Sequence, residues 1–196
     1  HQWLWGAHAI LCAGFFALLP WKFFSHMIYG LFSWISRQQR PIAQLDSGLV
    51  EQGQRPGAQV ARDLSPLDLL QVDGCTTCGR CNSVCPALAA GKPLRPREVI
   101  LGLRAGLSAG LDEPLSRWIS DDTLWSCTTC GACNAACPVG IDVYHKIVEL
   151  RRGRVESGIV PPIAEDLFDS VADKFNPFQR SNHERMLWAQ EFGTPQ

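Results

Sequence analysis

Acidic side chains are missing from the front of this chain. Between His1 and Ser36 the only charged residue is Lys22, and every Asp or Glu lies at Asp46 or beyond. No run of Lys and Arg is long enough to follow a nucleic-acid backbone, which argues against nucleic-acid partners, and a net charge of −1 points to no charged partner either. Strict apolar–polar alternation of any length is also absent, which argues against a sizeable β-sheet. The first residue is His rather than Met, and the 196 residues, enough for one or two domains, read as a piece of a longer protein.

What the chain has is cysteine, gathered in two runs. One reads Cys75-Thr76-Thr77-Cys78-Gly79-Arg80-Cys81-Asn82-Ser83-Val84-Cys85-Pro86, the other Cys127-Thr128-Thr129-Cys130-Gly131-Ala132-Cys133-Asn134-Ala135-Ala136-Cys137-Pro138, and nine of the twelve positions are identical. The spacing C-x2-C-x2-C-x3-C-P is that of paired [4Fe–4S] clusters: three close thiolates wrap one cubane and the fourth, redirected by proline, crosses to the other. It predicts cluster A on Cys75, Cys78, Cys81 and Cys137, and cluster B on Cys127, Cys130, Cys133 and Cys85. Structural zinc also uses C-x2-C pairs, but it takes four ligands per ion and has no use for a third cysteine followed by Cys-Pro, twice over. Eight cysteines in two tight runs are poorly placed to pair as disulfides. Gly79 and Gly131 stand where a side chain would crowd a cluster, so backbone amides there can approach the sulfurs and tune them. Arg80 has Ala132 as its counterpart, and its charge is expected to raise the potential of cluster A relative to B.

Trp3 to Leu19 is seventeen residues without a charge, and apolar character resumes over Phe23–Ile35. With no basic region ahead and no small-residue cleavage site behind, this reads as a transmembrane helix over residues 1–36 rather than a secretory signal. Trp3, Trp5, Trp21, Tyr29 and Trp34 are its interface anchors. Lys22, Arg37 and Arg40 follow the apolar core, placing the C-terminal side in the cytoplasm. His8 and His26 are eighteen residues apart, five helical turns, and so share one face about 27 Å apart. Intramembrane histidines are functional by default. On spacing alone, haem ligation and a merely interfacial polar role both stay open.

Residues 37–65 are polar and turn-rich and read as a linker. Ser65-Pro66 starts a short helix that delivers the chain to Cys75. Between the motifs, Arg97–Ala105 and Pro114–Ile119 read as helices, with Gly106, Gly110 and Asp112 as breakers. Leu124, Trp125, Leu88 and Val84 are expected to form a dry shell around the clusters. Ile141–Arg152 is an amphipathic helix whose His145 is not a ligand, the clusters being filled by cysteine. Another helix runs from Pro161-Pro162 to Lys174. The domains are thus 1–36, 37–65, a cluster domain over 66–153, and 154–196. No catalytic residue is identified.

The stretch His1-Gln2-Trp3-Leu4-Trp5…His8…Pro20-Trp21-Lys22…His26, followed by a double cluster motif, resembles the membrane-bound heterodisulfide-reductase-related proteins. In these, a cytochrome b domain similar to the nitrate reductase gamma subunit precedes a ferredoxin domain, and a cysteine-rich (CCG) domain follows. Membrane electron-transfer-flavoprotein:quinone oxidoreductases are members. The long helical spacer between the motifs resembles the ferredoxin domains of fumarate-reductase-type iron–sulfur subunits and of the anaerobic glycerol-3-phosphate dehydrogenase C subunit. The resemblance implies a mostly α fold: one transmembrane helix, then an α-helical ferredoxin-like domain holding two [4Fe–4S] clusters. It also makes His8 and His26 ligands of haem b, shared with helices absent here. Asn176-Pro177-Phe178 and the later Arg185…Trp188-Ala189 match the family's bridge into the CCG domain, with Phe178 in place of the usual Trp and no CCG motif present. The implied role is an electron relay at the inner membrane, its cluster domain on the cytoplasmic side. It would run between a haem or quinone site and a CCG domain, with electron-transfer flavoprotein among the partners. The alternative is an iron–sulfur subunit or fragment of a disulfide-reductase-type or glycerol-3-phosphate-dehydrogenase-type enzyme. A complete disulfide reductase is disfavoured, because only Cys12 is left over and it lies in the expected membrane helix.

Overall fold

The computed structural model describes residues 2–18, 25–36, 56–181, 184 and 187. It divides into two units, His1–Glu156 and Ser157–Gln196. The described residues are mostly helical, with an isolated antiparallel bridge between Val60 and Pro114.

The cluster domain is assembled from short helices whose starts are written locally. Helix α3 (Pro66–Asp73) begins with Pro66 in the first turn and Ser65 Oγ accepting from the Asp68 amide at 3.1 Å. Two one-turn helices follow, α4 (Arg80–Ser83) and α5 (Pro86–Ala89). Helix α6 (Pro96–Ala109) carries Val99, Ile100 and Leu103 into the core. Helix α7 (Asp121–Trp125) is capped by Ser120, α8 is Ala132–Ala135, and α9 (Val143–Glu156) buries Val143, Ile147 and Leu150. Helices α6 and α9 pack on each other, and the short helices bearing cysteines sit at their ends.

Two local expectations give way to tertiary contacts. Gly106 does not break α6. It lies inside the helix, where an added Cβ would meet Leu115 Cδ2 at 2.7 Å, so its missing side chain admits a neighbour. The helix expected over Pro114–Ile119 is a single 3-10 turn, Leu115–Arg117, anchored by the Leu115 amide donating to Gln59 O at 3.0 Å. That contact also corrects the linker. Ala58, Ala61 and Leu64 are core residues, and the Ala58 amide donates to Glu149 O at 2.8 Å. The packed domain therefore starts well before residue 66, and residues 37–55 lie outside the described ones.

The membrane-spanning helix expected over 1–36 finds no support among the described residues. The described segment holds α1 (Gln2–Leu18, 17 residues) and α2 (Ser25–Ile35, 11 residues), with 19–24 outside the described residues. Among the described residues no helix is long and apolar enough to cross a membrane. The described part of α1, 17 residues, covers about 26 Å at the usual rise, against a hydrocarbon core of about 30 Å.

The two apolar helices differ in their surroundings. No residue of α1 is buried, and Trp3, Trp5, Ile10 and Leu11 are each more than 70% exposed. Helix α2 instead docks on the cluster domain through its small residues. Ser33 Oγ donates to Val139 O at 2.8 Å, and a methyl group at Gly30 would stand 3.1 Å from Val139 Cγ1. Across the same contact lies Gly74, directly before Cys75.

In the second unit, α10 (Pro162–Lys174) starts on a proline, as expected, and ends at Phe175 in the left-handed region. Ser170 Oγ donates to Asn176 O at 2.7 Å, and Asn176 Oδ1 accepts from the Phe178 amide at 3.0 Å. Of the later bridge pattern, residues 185, 188 and 189 lie outside the described ones.

Candidate iron–sulfur centres

Each motif is delivered by a helix end. Helix α3 stops at Asp73 and leads through Gly74 to Cys75; α7 stops at Trp125 and leads through Ser126 to Cys127. The loops then curl the same way. Thr77 and Thr129 have φ of 55° and 52°, and Gly79 and Gly131 have φ of 79° and 76°. The glycines are the residues ahead of α4 and α8, where the left-handed backbone suits a residue without Cβ. This curl turns the Thr129 amide toward Cys127 Sγ at 3.4 Å, and beyond the second motif the Ile141 amide donates to Cys137 Sγ at 3.3 Å.

The cysteines assemble across the motifs. Cys75, Cys78, Cys81 and Cys137 line one cavity, with Gly79, Arg97 and Val139 in its wall. Burial pushes the Cys81 thiol up to about 11, and the neighbouring Cys75, Cys137 and Cys78 add to that shift. Burial likewise raises Cys75, with Cys137 and Cys78 pushing the same way. In the second group, burial raises Cys127, with Cys85 and Cys130 pushing the same way. Burial pushes Cys133 up to about 12, helped by Cys127 and Cys130. Cys81 also acts on Cys133, and α4 packs on α8, so the two groups adjoin through their third cysteines. The second cysteines, Cys78 and Cys130, are exposed, while Cys85 and Cys133 are buried.

This donor set fits iron–sulfur clusters. Among the described residues no three His, Cys, Asp or Glu side chains converge on one ion-sized point. Four sulfurs instead surround a cavity in which backbone amides point at thiolates. Desolvated thiols that repel one another when ionised need a strongly positive, sulfur-seeking group among them, and iron in a cubane supplies that charge.

The structure also reveals a duplication larger than the cysteine runs. Asn82 Oδ1 accepts from the Arg97 amide at 2.8 Å at the start of α6. Asn134 Oδ1 accepts from the Val143 and Tyr144 amides at 2.8 and 3.1 Å at the start of α9. Their amide groups donate onward to Glu98 and Asp142. Seven residues past Arg97 and past Tyr144 stand Arg104 and Arg151. Arg104 Nη2 donates to Val72 O, Asp73 O and Cys75 O at 2.7, 3.0 and 3.0 Å. Arg151 Nη2 donates to Leu124 O and Cys127 O at 2.5 and 2.6 Å. The sequence assigns none of the four a part in the site. The shared asparagine inside the motifs is the visible signal; the equivalence of the two arginines is hidden by spacers of different length.

The remaining expected residues are scattered. His8 lies on α1, its Nε2 3.6 Å from Cys12 Sγ, and His26 lies half-buried on α2. The residues between them, 19–24, lie outside the described ones, and with them the expected five-turn register. His145 is half-buried on α9. Of the expected dry shell Leu124 is buried and Leu88 and Trp125 partly so, but Val84 is 43% exposed because its one-turn helix turns it outward.

Residues 71–141 match the family described as 4Fe-4S dicluster domain. The chain is 31% identical over 166 residues to a probable membrane-anchored ferredoxin of Chromohalobacter salexigens, covering 71% of this chain and 25% of that protein. It is 28% identical over 226 residues to the EtfAB:quinone oxidoreductase of Syntrophomonas wolfei, covering 98% of this chain and 32% of the relative. It is 32% identical over 142 residues to a component of the dihydromethanophenazine:CoB–CoM heterodisulfide reductase of Methanosarcina barkeri, covering 65% and 35%. The chain thus spans about a quarter to a third of the length of these relatives. Its cofactors are two [4Fe–4S] clusters, and it is an iron–sulfur electron-transfer protein related to components of disulfide reductases and quinone oxidoreductases.

Proposed function

We propose, given that residues 71–141 match a 4Fe–4S dicluster domain, that this chain carries electrons within a larger quinone-linked oxidoreductase. Its route would run between a membrane-attached N-terminal segment and a redox partner on the cytoplasmic face. The observation that carries the reading is the meeting of the two motifs: Cys137 shares a cavity with Cys75, Cys78 and Cys81, and Cys85 acts on Cys127. On that basis cluster A takes Cys75, Cys78, Cys81 and Cys137, and cluster B takes Cys127, Cys130, Cys133 and Cys85. Each cubane, when bound, takes up and gives back single electrons. The residues around them hold the two centres side by side, bury Cys85 and Cys133 and leave Cys78 and Cys130 at the surface, where partners can approach.

Attachment to the membrane is supported by α1, which has no buried residue and no charge, so its apolar circumference calls for a covering. A relative named as membrane-anchored agrees. Because α2 rests on Val139 and Gly74, cluster A is the centre nearer these helices and cluster B the one nearer the far partner. The relatives' names make electron-transfer flavoprotein and a cysteine-rich disulfide-reductase domain the partner classes of this proposal. Residues 157–196 would lead toward the latter. Haem b on His8 and His26 rests on the family resemblance alone.

The deciding experiment is iron and acid-labile sulfide per chain on anaerobically purified protein, with EPR before and after dithionite. About eight of each and an interacting two-spin signal support the relay; zinc, or about four iron with one isolated spin, removes it. Reduced pyridine spectra of the full-length membrane protein and of its His8→Ala and His26→Ala variants test the haem part separately.

A further inference from the structure

We propose that Arg104 and Arg151 are paired tuning residues, each setting the reduction potential of one cluster from behind its first cysteine. They occupy equivalent places in the two halves: each guanidinium reaches back from the helix that follows its motif to the helix end that precedes it. Arg104 closes on Cys75 O at 3.0 Å, and Arg151 on Cys127 O at 2.6 Å.

A positive charge against helix C-terminal carbonyls is ordinary capping, and both arginines do cap, α3 and α7 respectively. The position adds something that capping does not need. In each half the last carbonyl taken is that of the first cysteine, so the charge sits one residue's backbone away from a ligating sulfur. Both side chains are half-buried, where screening by salt is weaker than at the surface. A reduced cluster is more negative than an oxidised one, so a fixed cation beside it favours reduction and raises the potential.

The two halves differ in what surrounds the cation. Arg104 Nε lies 3.9 Å from Asp73 Oδ1, a carboxylate that offsets part of its field. Arg151 lies over the Trp125 ring, 5.2 Å from its centroid, a neutral neighbour that leaves the charge in force. The two centres therefore respond unequally.

The proposal rests on resident clusters and not on the direction of electron flow or on any partner. It is tested by EPR-monitored redox titration of the cluster-loaded protein, with iron content measured on every sample. Arg104→Gln should lower the potential of one cluster and Arg151→Gln that of the other. Each shift should be on the order of tenfold in the reduction equilibrium, about 59 mV for one electron, with the larger at Arg151. Arg104→Lys and Arg151→Lys, which keep the charge but lose the forked hydrogen bonds, should restore most of each potential. Asp73→Asn, a mild surface change, should raise the potential that Arg104→Gln lowers and leave the other alone, so the proposal stays testable even where a Gln variant loses its cluster. Potentials that stay put in both Arg104→Gln and Asp73→Asn, or that move together in every variant, would overturn it.

Discussion

Lys146 Nζ lies 2.9 Å from Asp68 Oδ1, with the lysine side chain at 0% and the aspartate at 7% exposure. Gln71 Oε1 accepts from the same ammonium at 2.6 Å and from the Asp142 amide at 3.1 Å. The group ties α3, which leads into Cys75, to α9, which follows Cys137, and so braces the two ends that supply cluster A. A buried pair loses about 3–5 kcal/mol when one partner is removed and its mate is left charged. Asp68→Asn should cost that much in chemical denaturation, whereas Asp68→Leu with Lys146→Met should come close to wild type. Burial alone would raise the Asp68 pKa, but the Lys146 charge and the Ser65 hydroxyl overcome it and hold the carboxyl below its ordinary value of 3.8. Its stabilisation is therefore complete above the unfolded carboxylate range and is lost as pH falls through the lowered folded value. Circular dichroism below about pH 4 should show an acid-unfolding component that Asp68→Asn lacks.

Gly153 on α9 allows the segment ahead of α3 to pack. A Cβ there would stand 2.4 Å from Ala58 O and 2.7 Å from Ala58 C, backbone atoms that cannot rotate away. Gly153→Ala should destabilise the cluster domain by about 1–3 kcal/mol, as overpacking does. Gly6→Ala on α1, with nothing within 4 Å of the new methyl, is the control and should be neutral or slightly stabilising. Equal midpoints for the two variants would mean that residues 57–64 add nothing to the fold.

The sequence was legible where chemistry is local. Cysteine spacing, Ser65 with Pro66 at the start of α3, and the proline start of α10 each depend on neighbours within a turn. It was opaque where one residue answers to another far along the chain. Gly106 reads as a breaker until Leu115 is seen beside it, and 56–65 reads as linker until Gly153 is seen to accept it. Arg104 and Cys75 are 29 residues apart and Arg151 and Cys127 are 24 apart, so no fixed spacing marks the pair. The apolar front reads as one span because hydropathy averages over the whole stretch, whereas no helix among the described residues is long and apolar enough to cross a membrane.

Crossed ligation has a direct spectroscopic consequence. If Cys137 serves the centre of the first motif, Cys137→Ser should alter the same EPR component as Cys75→Ser, and Cys85→Ser the same one as Cys127→Ser. Each motif serving its own cluster would pair the spectra the other way, Cys137→Ser with Cys127→Ser. The cavity holding Cys137 beside Cys75, Cys78 and Cys81 leads us to expect the crossed pairing.

Arg80 is the charge that breaks the symmetry of the motifs, and its position limits its effect. It is exposed, two residues from Cys78, which is itself at the surface. The Cys78 thiol is held below its ordinary value first by the Arg80 backbone amide, and beyond that by the Thr76 hydroxyl and the Arg80 charge. Removing the side chain leaves the amide in place, so only the solvent-screened part is lost. Arg80→Ala should therefore lower the potential of cluster A by less than Arg104→Gln does and leave cluster B unmoved. The shift should be visible near 10 mM salt, where the screening length is about 30 Å, and gone at 1 M, where it is about 3 Å. A shift as large at 1 M as at 10 mM would mean that the Arg80 charge is shielded from solvent, contrary to its exposure; no shift at either would leave Arg97 in the cavity wall and Arg104 behind Cys75 as the cations that act on cluster A.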